Sequence, residues 1–216
     1  MKKLLAFVLC VVLTLSLCAC NLSSVVDSVI DDVTENSNPI VRGVITDNVY
    51  ASTFTGLTFT KPESWVFATD EEIASALGLA SSMFNADFAE IAESSGSLYD
   101  MMVSDSLTGT NINLGYENLA LSNSTNVTEE QYIEALEQQL KGVSSMVVEF
   151  EDEITTVKLS GQDYVRVVAN VTASGIEMSQ VYYLRKIDKF MNFVIVTLVS
   201  GYEISDIEAM FSTIYQ

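Results

Sequence analysis

Residues 164–200 read YVRVVANVTA-SG-IEMSQVYYLRK-ID-K-FMNFVIVTLVS. Three segments rich in Val, Ile, Tyr and Phe, Tyr164 to Ala173, Ile176 to Lys186 and Phe190 to Ser200, are divided only by Ser174-Gly175 and Ile187-Asp188. Such runs bounded by short turn signals are strands. Strands joined by turns this short must pair antiparallel. Upstream, Met146 to Leu159 ends at Ser160-Gly161 and adds a fourth member to the meander. Further upstream the period stays at two: Met101 to Ser104 and Asn111 to Glu117 form a hairpin around Thr108-Gly109, with Ile112, Leu114 and Tyr116 on its buried face.

Helices interrupt the strands at three places, each marked by a Thr or Ser followed three residues later by Glu or Gln. Thr69 with Glu72 opens a stretch reaching about Ser94, with a break near Gly78. Thr128 with Gln131 opens one to about Lys141, with Ile133, Leu136 and Leu140 on one face. Ser205 with Glu208 opens a C-terminal helix that turns Ile207, Met210, Phe211 and Ile214 inward. Strands and helices are thus segregated along the chain, which is the pattern of an α+β domain.

Before the first helix, Tyr50, Phe54, Leu57 and Phe59 mark two short strands that turn near Thr55-Gly56. Pro62 has no N–H to donate and stops the ladder, and Trp65 and Phe67 are core residues. The segment from residue 20 to about Ile40, rich in Ser, Asn and Asp, is a tether, which when flexible reaches roughly 25 Å on average. Val25, Val26, Val29, Ile30 and Val33 recur within it at helical spacing, although β-branching makes any helix there weak.

The chain opens Met1-Lys2-Lys3 and runs apolar from Leu4 to Leu17, as a signal peptide does. Its 16 residues from Leu4 to Ala19 span roughly 24 Å as a helix, short of the ~30 Å core of a bilayer. The run closes on Leu17-Cys18-Ala19-Cys20, which resembles the bacterial lipobox: an aliphatic residue, a small residue before the cut, then the cysteine that takes a diacylglyceryl group. The expected division is therefore 1–19 leader, 20–40 lipid anchor and tether, and 41–216 a single domain, with Cys20 as the lipidation site. Two acyl chains anchor stably where one binds marginally.

The stretch from Tyr50 through Phe54-Thr55-Gly56-Leu57-Thr58-Phe59-Thr60-Lys61-Pro62-Glu63-Ser64-Trp65-Val66-Phe67, the acidic helix after it, the meander, and a closing helix after Gly201-Tyr202 resemble the PsbP-like (DcrB-like) lipoproteins of bacteria. The resemblance runs from about Val44 to Gln216. It implies an α/β/α sandwich around a mainly antiparallel sheet, and binding or assembly roles rather than catalysis. It carries over no ligand-binding set.

Composition excludes much chemistry. There is no histidine, which removes imidazole acid–base catalysis, Ser-His-Asp and Cys-His systems and His-ligated zinc together. All three cysteines, Cys10, Cys18 and Cys20, lie at or before the expected cut, leaving no thiol or disulfide in the domain. Loss of Lys2 and Lys3 with the leader leaves 8 basic against 29 acidic side chains, a net charge of −21. A surface this acidic is repelled by nucleic acid and by anionic head groups, so nucleic acid is excluded as a partner and membrane contact must come through lipid. No Lys or Arg occurs between Pro62 and Leu140, while fourteen acids do; this is either a solvated face or a surface for a cationic partner.

Two clusters merit placement. Glu149, Glu151 and Glu153 on one strand would share a face about 7 Å apart, with Asp152 opposite, and could offer oxygen ligands to calcium or simply guard a sheet edge. Arg185, Lys186 and Lys189 surround the Ile187-Asp188 turn as a basic island. Neither amounts to a catalytic, cofactor or metal site, and none of the three is expected. The sequence therefore points to a non-enzymatic, lipid-anchored binding or accessory protein on the outer face of a bacterial membrane, docking an unknown protein or envelope partner. A small-solute receptor of a transporter and a carboxylate- or metal-dependent hydrolase are the alternatives.

Overall fold

A computed structural model describes residues 40–78 and 88–212. The expected leader, Cys20 and the expected tether up to residue 39 lie outside the described residues. A three-stranded sheet comprises β1 (Val44–Thr46), β2 (Val49–Ala51) and β3 (Thr58–Thr60) in that order. The main sheet is built from β4 (Trp65–Phe67), β5 (Ser97–Asp105), β6 (Asn111–Asn118), β7 (Met146–Phe150), β8 (Thr155–Leu159), β9 (Gln162–Ala173), β10 (Ile176–Ile187) and β11 (Phe190–Leu198). Its spatial order is β4-β5-β6-β11-β10-β9-β7, with β8 also on β9, and every pairing is antiparallel. The helices are α1 (Asp70–Ala76), α2 (Phe88–Ser94), α3 (Glu129–Lys141) and α4 (Ile204–Glu208).

Side chains of partnered residues share a face of a sheet, so the register sorts the core into two layers. One face carries Val167, Tyr182, Ile195, Asn113 and Met102, and at its end Glu117. Helix α3 covers this face, burying Tyr132, Ile133, Leu136 and Leu140, and its Tyr132 hydroxyl donates to Glu117. The opposite face carries Arg166, Tyr183, Val194, Leu114, Tyr116 and Trp65. It receives α4, through Glu208 to Arg166 and Tyr183; α2, through Asn118 to the carbonyls of Ala92 and Glu93; and the small sheet, through Phe54 against Tyr116. The fold is α+β, with helices on both sides of an antiparallel sheet.

The turns of the meander have the chemistry their geometry demands. Ser160-Gly161 and Ser174-Gly175 both place two successive residues at positive φ, the backbone of the hairpin turn that matches strand twist. Gly115 answers a different need. A Cβ there would sit 2.3 Å from the Leu98 carbonyl oxygen and 2.6 Å from the Phe193 ring, which packs edge-on against Tyr99 across the same face.

Several expectations need correction. The strand expected from Met146 to Leu159 is two strands, because the chain leaves the ladder after Glu151, whose N–H still donates to the Val168 carbonyl, and the register with β9 shifts before Thr155. The first hairpin strand starts at Ser97, earlier than Met101; a bulge between Tyr99 and Met101 turns Asp100 inward and breaks the alternation on which the reading depended. Trp65 is in the core as expected and Phe67 is half-buried against it, and both belong to β4, a strand of the main sheet that the reading did not place. Helix α4 is capped by Glu203, whose N–H donates to Asp206 Oδ2 at 2.9 Å, so Ser205 is inside it; it ends at Glu208, and Phe211 forms a bridge with Phe59. Ile214 lies outside the described residues. The stretch from Thr69 does stop near Gly78, which takes φ +68°, and α2 ends at Ser94; residues 79–87 between them are not described. Helix α3 runs as its spacing requires.

Candidate functional site

Two buried carboxylates, Asp100 of β5 and Glu117 of β6, are the perturbed acids among the described residues. Asp100 accepts from the hydroxyls of Tyr50 at 2.7 Å and Tyr116 at 3.0 Å, and the Gly43 N–H reaches both its oxygens at 3.1 Å. Arg42 Nε lies 3.8 Å away, and its guanidinium pairs with Asp70 at 2.5 Å. Burial raises the Asp100 pKa against the opposing pull of those donors and of Arg42. This constellation pins the Arg42-Gly43 segment to the sheet and has the form of an anchor for the chain's entry into the domain. Glu117, on the other face, accepts from the Tyr132 hydroxyl, and burial pushes its pKa up to about 7. The two acids face opposite sides of the sheet and make no catalytic pair.

The acids of residues 149–153 are not gathered as expected. Glu149 is in β7 and Glu151 keeps one ladder bond, to the Val168 carbonyl, but the strand goes no further and Asp152 and Glu153 follow in the loop, so the three glutamates do not share one strand face. Among the described residues no group of three potential ligands could hold a metal ion. The basic island is likewise divided, because successive strand residues point to opposite faces. The Arg185 guanidinium donates to the Thr55 carbonyl at 2.8 Å and lies over the Tyr164 ring. Lys186 donates its backbone N–H to Glu129 Oε1 and its ammonium to the Thr125 carbonyl, and Lys189 pairs with Glu93 at 2.8 Å. The acid-rich stretch is no uniform face either: Asp100, Asp105 and Glu117 from it are buried.

What is open is one end of the main sheet. Helix α4 meets one face of the sheet at Arg166 and Tyr183; beyond Val168 the same face carries Asn170, Thr172, Glu177, Ser179, Leu198 and, on the outermost strand, Val147 and Glu149. Apart from Val147, which lies beside it, they line an open concavity of about 440 Å³ with a floor of amide, hydroxyl and short apolar groups between Glu149 and Glu177. The sequence reading named Glu149 but not the site. Nothing in the sequence marks where α4 stops covering β9 and β10, and Asn170 and Ser179 read as ordinary outward positions.

No protein-family model matches this chain, and no curated protein matches it. Among solved structures, the solution structure of cyanobacterial PsbP (CyanoP) from Synechocystis sp. PCC 6803 is similar to it over 83% of this chain and 92% of that one, at 11% identity and a TM-score of 0.43.

Proposed function

We propose that this chain is a lipid-anchored extracytoplasmic protein that acts by binding a partner and performs no catalysis. The observation that carries the proposal is Leu17-Cys18-Ala19-Cys20 at the end of a charged-then-apolar leader. Cleavage before Cys20 and acylation of its thiol would hold the domain on the outer face of a bacterial membrane. The binding part of the reading is supported by the absence of histidine anywhere and of cysteine after Cys20, by the separation of the two perturbed acids on opposite faces, and by the open sheet end. That concavity is wide and unroofed, which suits a macromolecular surface better than a small solute, whose sites bury most of the ligand.

Replacing Cys20 tests the anchor directly. Wild-type protein in cells fed a labelled fatty acid should take up label and fractionate with membranes, and Cys20→Ala should take up none and accumulate as uncut precursor or in the medium. Label retained by the variant would refute the assignment.

A further inference from the structure

We propose that the open edge of β7 is a docking strand for an extended, cationic segment of a partner protein, which adds to the main sheet as its next strand. This deepens the binding role above and rests on it for the partner being a protein. The ladder phase fixes which groups are on offer. The Glu151 N–H donates to the Val168 carbonyl at 2.8 Å, in continuous register with the β7–β9 pairing. In an antiparallel pair this makes Val147, Glu149 and Glu151 the residues whose backbone groups point to β9. Met146, Val148 and Phe150 therefore turn theirs to the open side. The Met146 N–H is taken by the Val143 carbonyl. Among the described residues no strand lies beyond β7 to meet those of Val148 and Phe150.

The side chains along this edge specify what should come. Toward the open concavity β7 presents Val147, 61% exposed, and Glu149, with Glu177 across the floor and Glu151, Asp152 and Glu153 in the loop just beyond. None of these five acids is in an ion pair among the described residues. Residues directly opposite each other in an added strand come within about 5 Å, close enough for opposite charges to attract and like charges to repel. A segment alternating Lys or Arg with a β-branched residue sets its cations on the face of Glu149 and the acids beyond it, their aliphatic stems lying over Val147, while its β-branched side chains fall on the other face beside Val148 and Phe150. A second copy of this chain would bring the same acids to the edge on a molecule of net charge −19, which opposes self-pairing. Strand addition is a known mode of peptide capture in which backbone bonds supply affinity and side-chain pockets specificity.

The probe is a blocked Lys-Val-Lys-Val-Lys-Val-Lys peptide, titrated by fluorescence anisotropy into full-length protein in neutral detergent; blocked Glu-Val alternating and all-lysine peptides of equal length are the controls. The Lys-Val peptide should bind more tightly than either control and should slow amide exchange at Val148 and Phe150. Glu149→Lys with Glu151→Lys should weaken it at least tenfold while melting as wild type, because both side chains are exposed. Equal binding of the all-lysine peptide would reduce the effect to bulk charge and overturn the proposal. So would protection confined to other strands, or protection of Val148 and Phe150 that grows with protein concentration without peptide and marks self-pairing. Peptide capture does not depend on acylation, so failure here is distinct from failure of the Cys20 experiment.

Discussion

Asp100 and Glu117 show how far a carboxylate's behaviour depends on its immediate donors. Each is buried, on neighbouring strands, facing opposite sides of the sheet. Asp100 gathers two hydroxyls, a backbone N–H and a nearby guanidinium, and these offset part of its desolvation. Glu117 accepts from the Tyr132 hydroxyl, and its pKa is pushed up to about 7. An acid that holds its proton more tightly when folded makes the folded state bind more protons than the unfolded chain between the two pKa values. Stability must then fall as pH rises through that interval, from about 4.5 to about 7. The full effect is on the order of 3 kcal/mol. Glu117→Gln keeps an acceptor for the Tyr132 hydroxyl but cannot ionise. The variant should lose less stability than wild type between pH 5 and pH 7.5 in urea titrations followed by tryptophan fluorescence. An identical pH dependence in the two proteins would show that Glu117 ionises without cost.

At the scale of elements, α3 starts on a complete capping box and packs over β7, β9 and β10. Thr128 accepts from the Gln131 N–H at 3.3 Å, and Gln131 returns the bond to the Thr128 N–H at 3.1 Å, so two otherwise unpaired donors at the helix end are satisfied. Thr128→Ala should cost about 1 kcal/mol, and that loss should appear in global unfolding because the buried side of α3 is part of the core. Ser205→Ala is the contrasting case. The residue has the sequence signature of a cap, but the cap of α4 is at Glu203. The change should therefore leave thermal unfolding within about 0.5 kcal/mol of wild type, as for a surface substitution. Equal losses from the two substitutions would place the start of α4 at Ser205 after all.

For the whole molecule, charge is the dominant long-range term. Ten basic side chains stand against 29 acidic ones, and the folded state crowds that negative charge together. Salt shortens the reach of this repulsion from about 30 Å at 0.01 M to about 8 Å at 0.15 M. Raising sodium chloride across that range should stabilise the protein by about 1 kcal/mol, or roughly 2–4 °C in Tm for a domain of this size. Calcium chloride at matched ionic strength should give the same rise, since the acids of residues 149–153 are not gathered around a cation. A larger shift with calcium, reversed by EDTA, would reveal a carboxylate site; a falling Tm in sodium chloride would mean that ion pairs such as Arg166–Glu208 outweigh the repulsion.

Local chemistry alone determined the α+β class, the antiparallel meander, the start of α3 and the lack of imidazole or thiol in the expected domain, because alternation, turn dipeptides, capping pairs and residue counts act within a few residues of themselves. The layering of helices on both faces followed from the resemblance and is what the register and the helix contacts give. Tertiary structure decided the rest. The bulge that turns Asp100 inward exists because Tyr50, Gly43 and Tyr116, distant in sequence, converge on it. The strand after Met146 breaks after Glu151 because the loop of residues 152–154 is longer than the stretch of β9 that it passes, a mismatch visible only once both strands are paired. Among the described residues the sheet end is open because α4, five residues long, is tied to β9 and β10 at Arg166 and Tyr183 and does not extend along the strands beyond them. Coverage is a property of what packs above a residue, and Asn170, Ser179 and Glu149 carry no mark of it in their own neighbourhood of the chain.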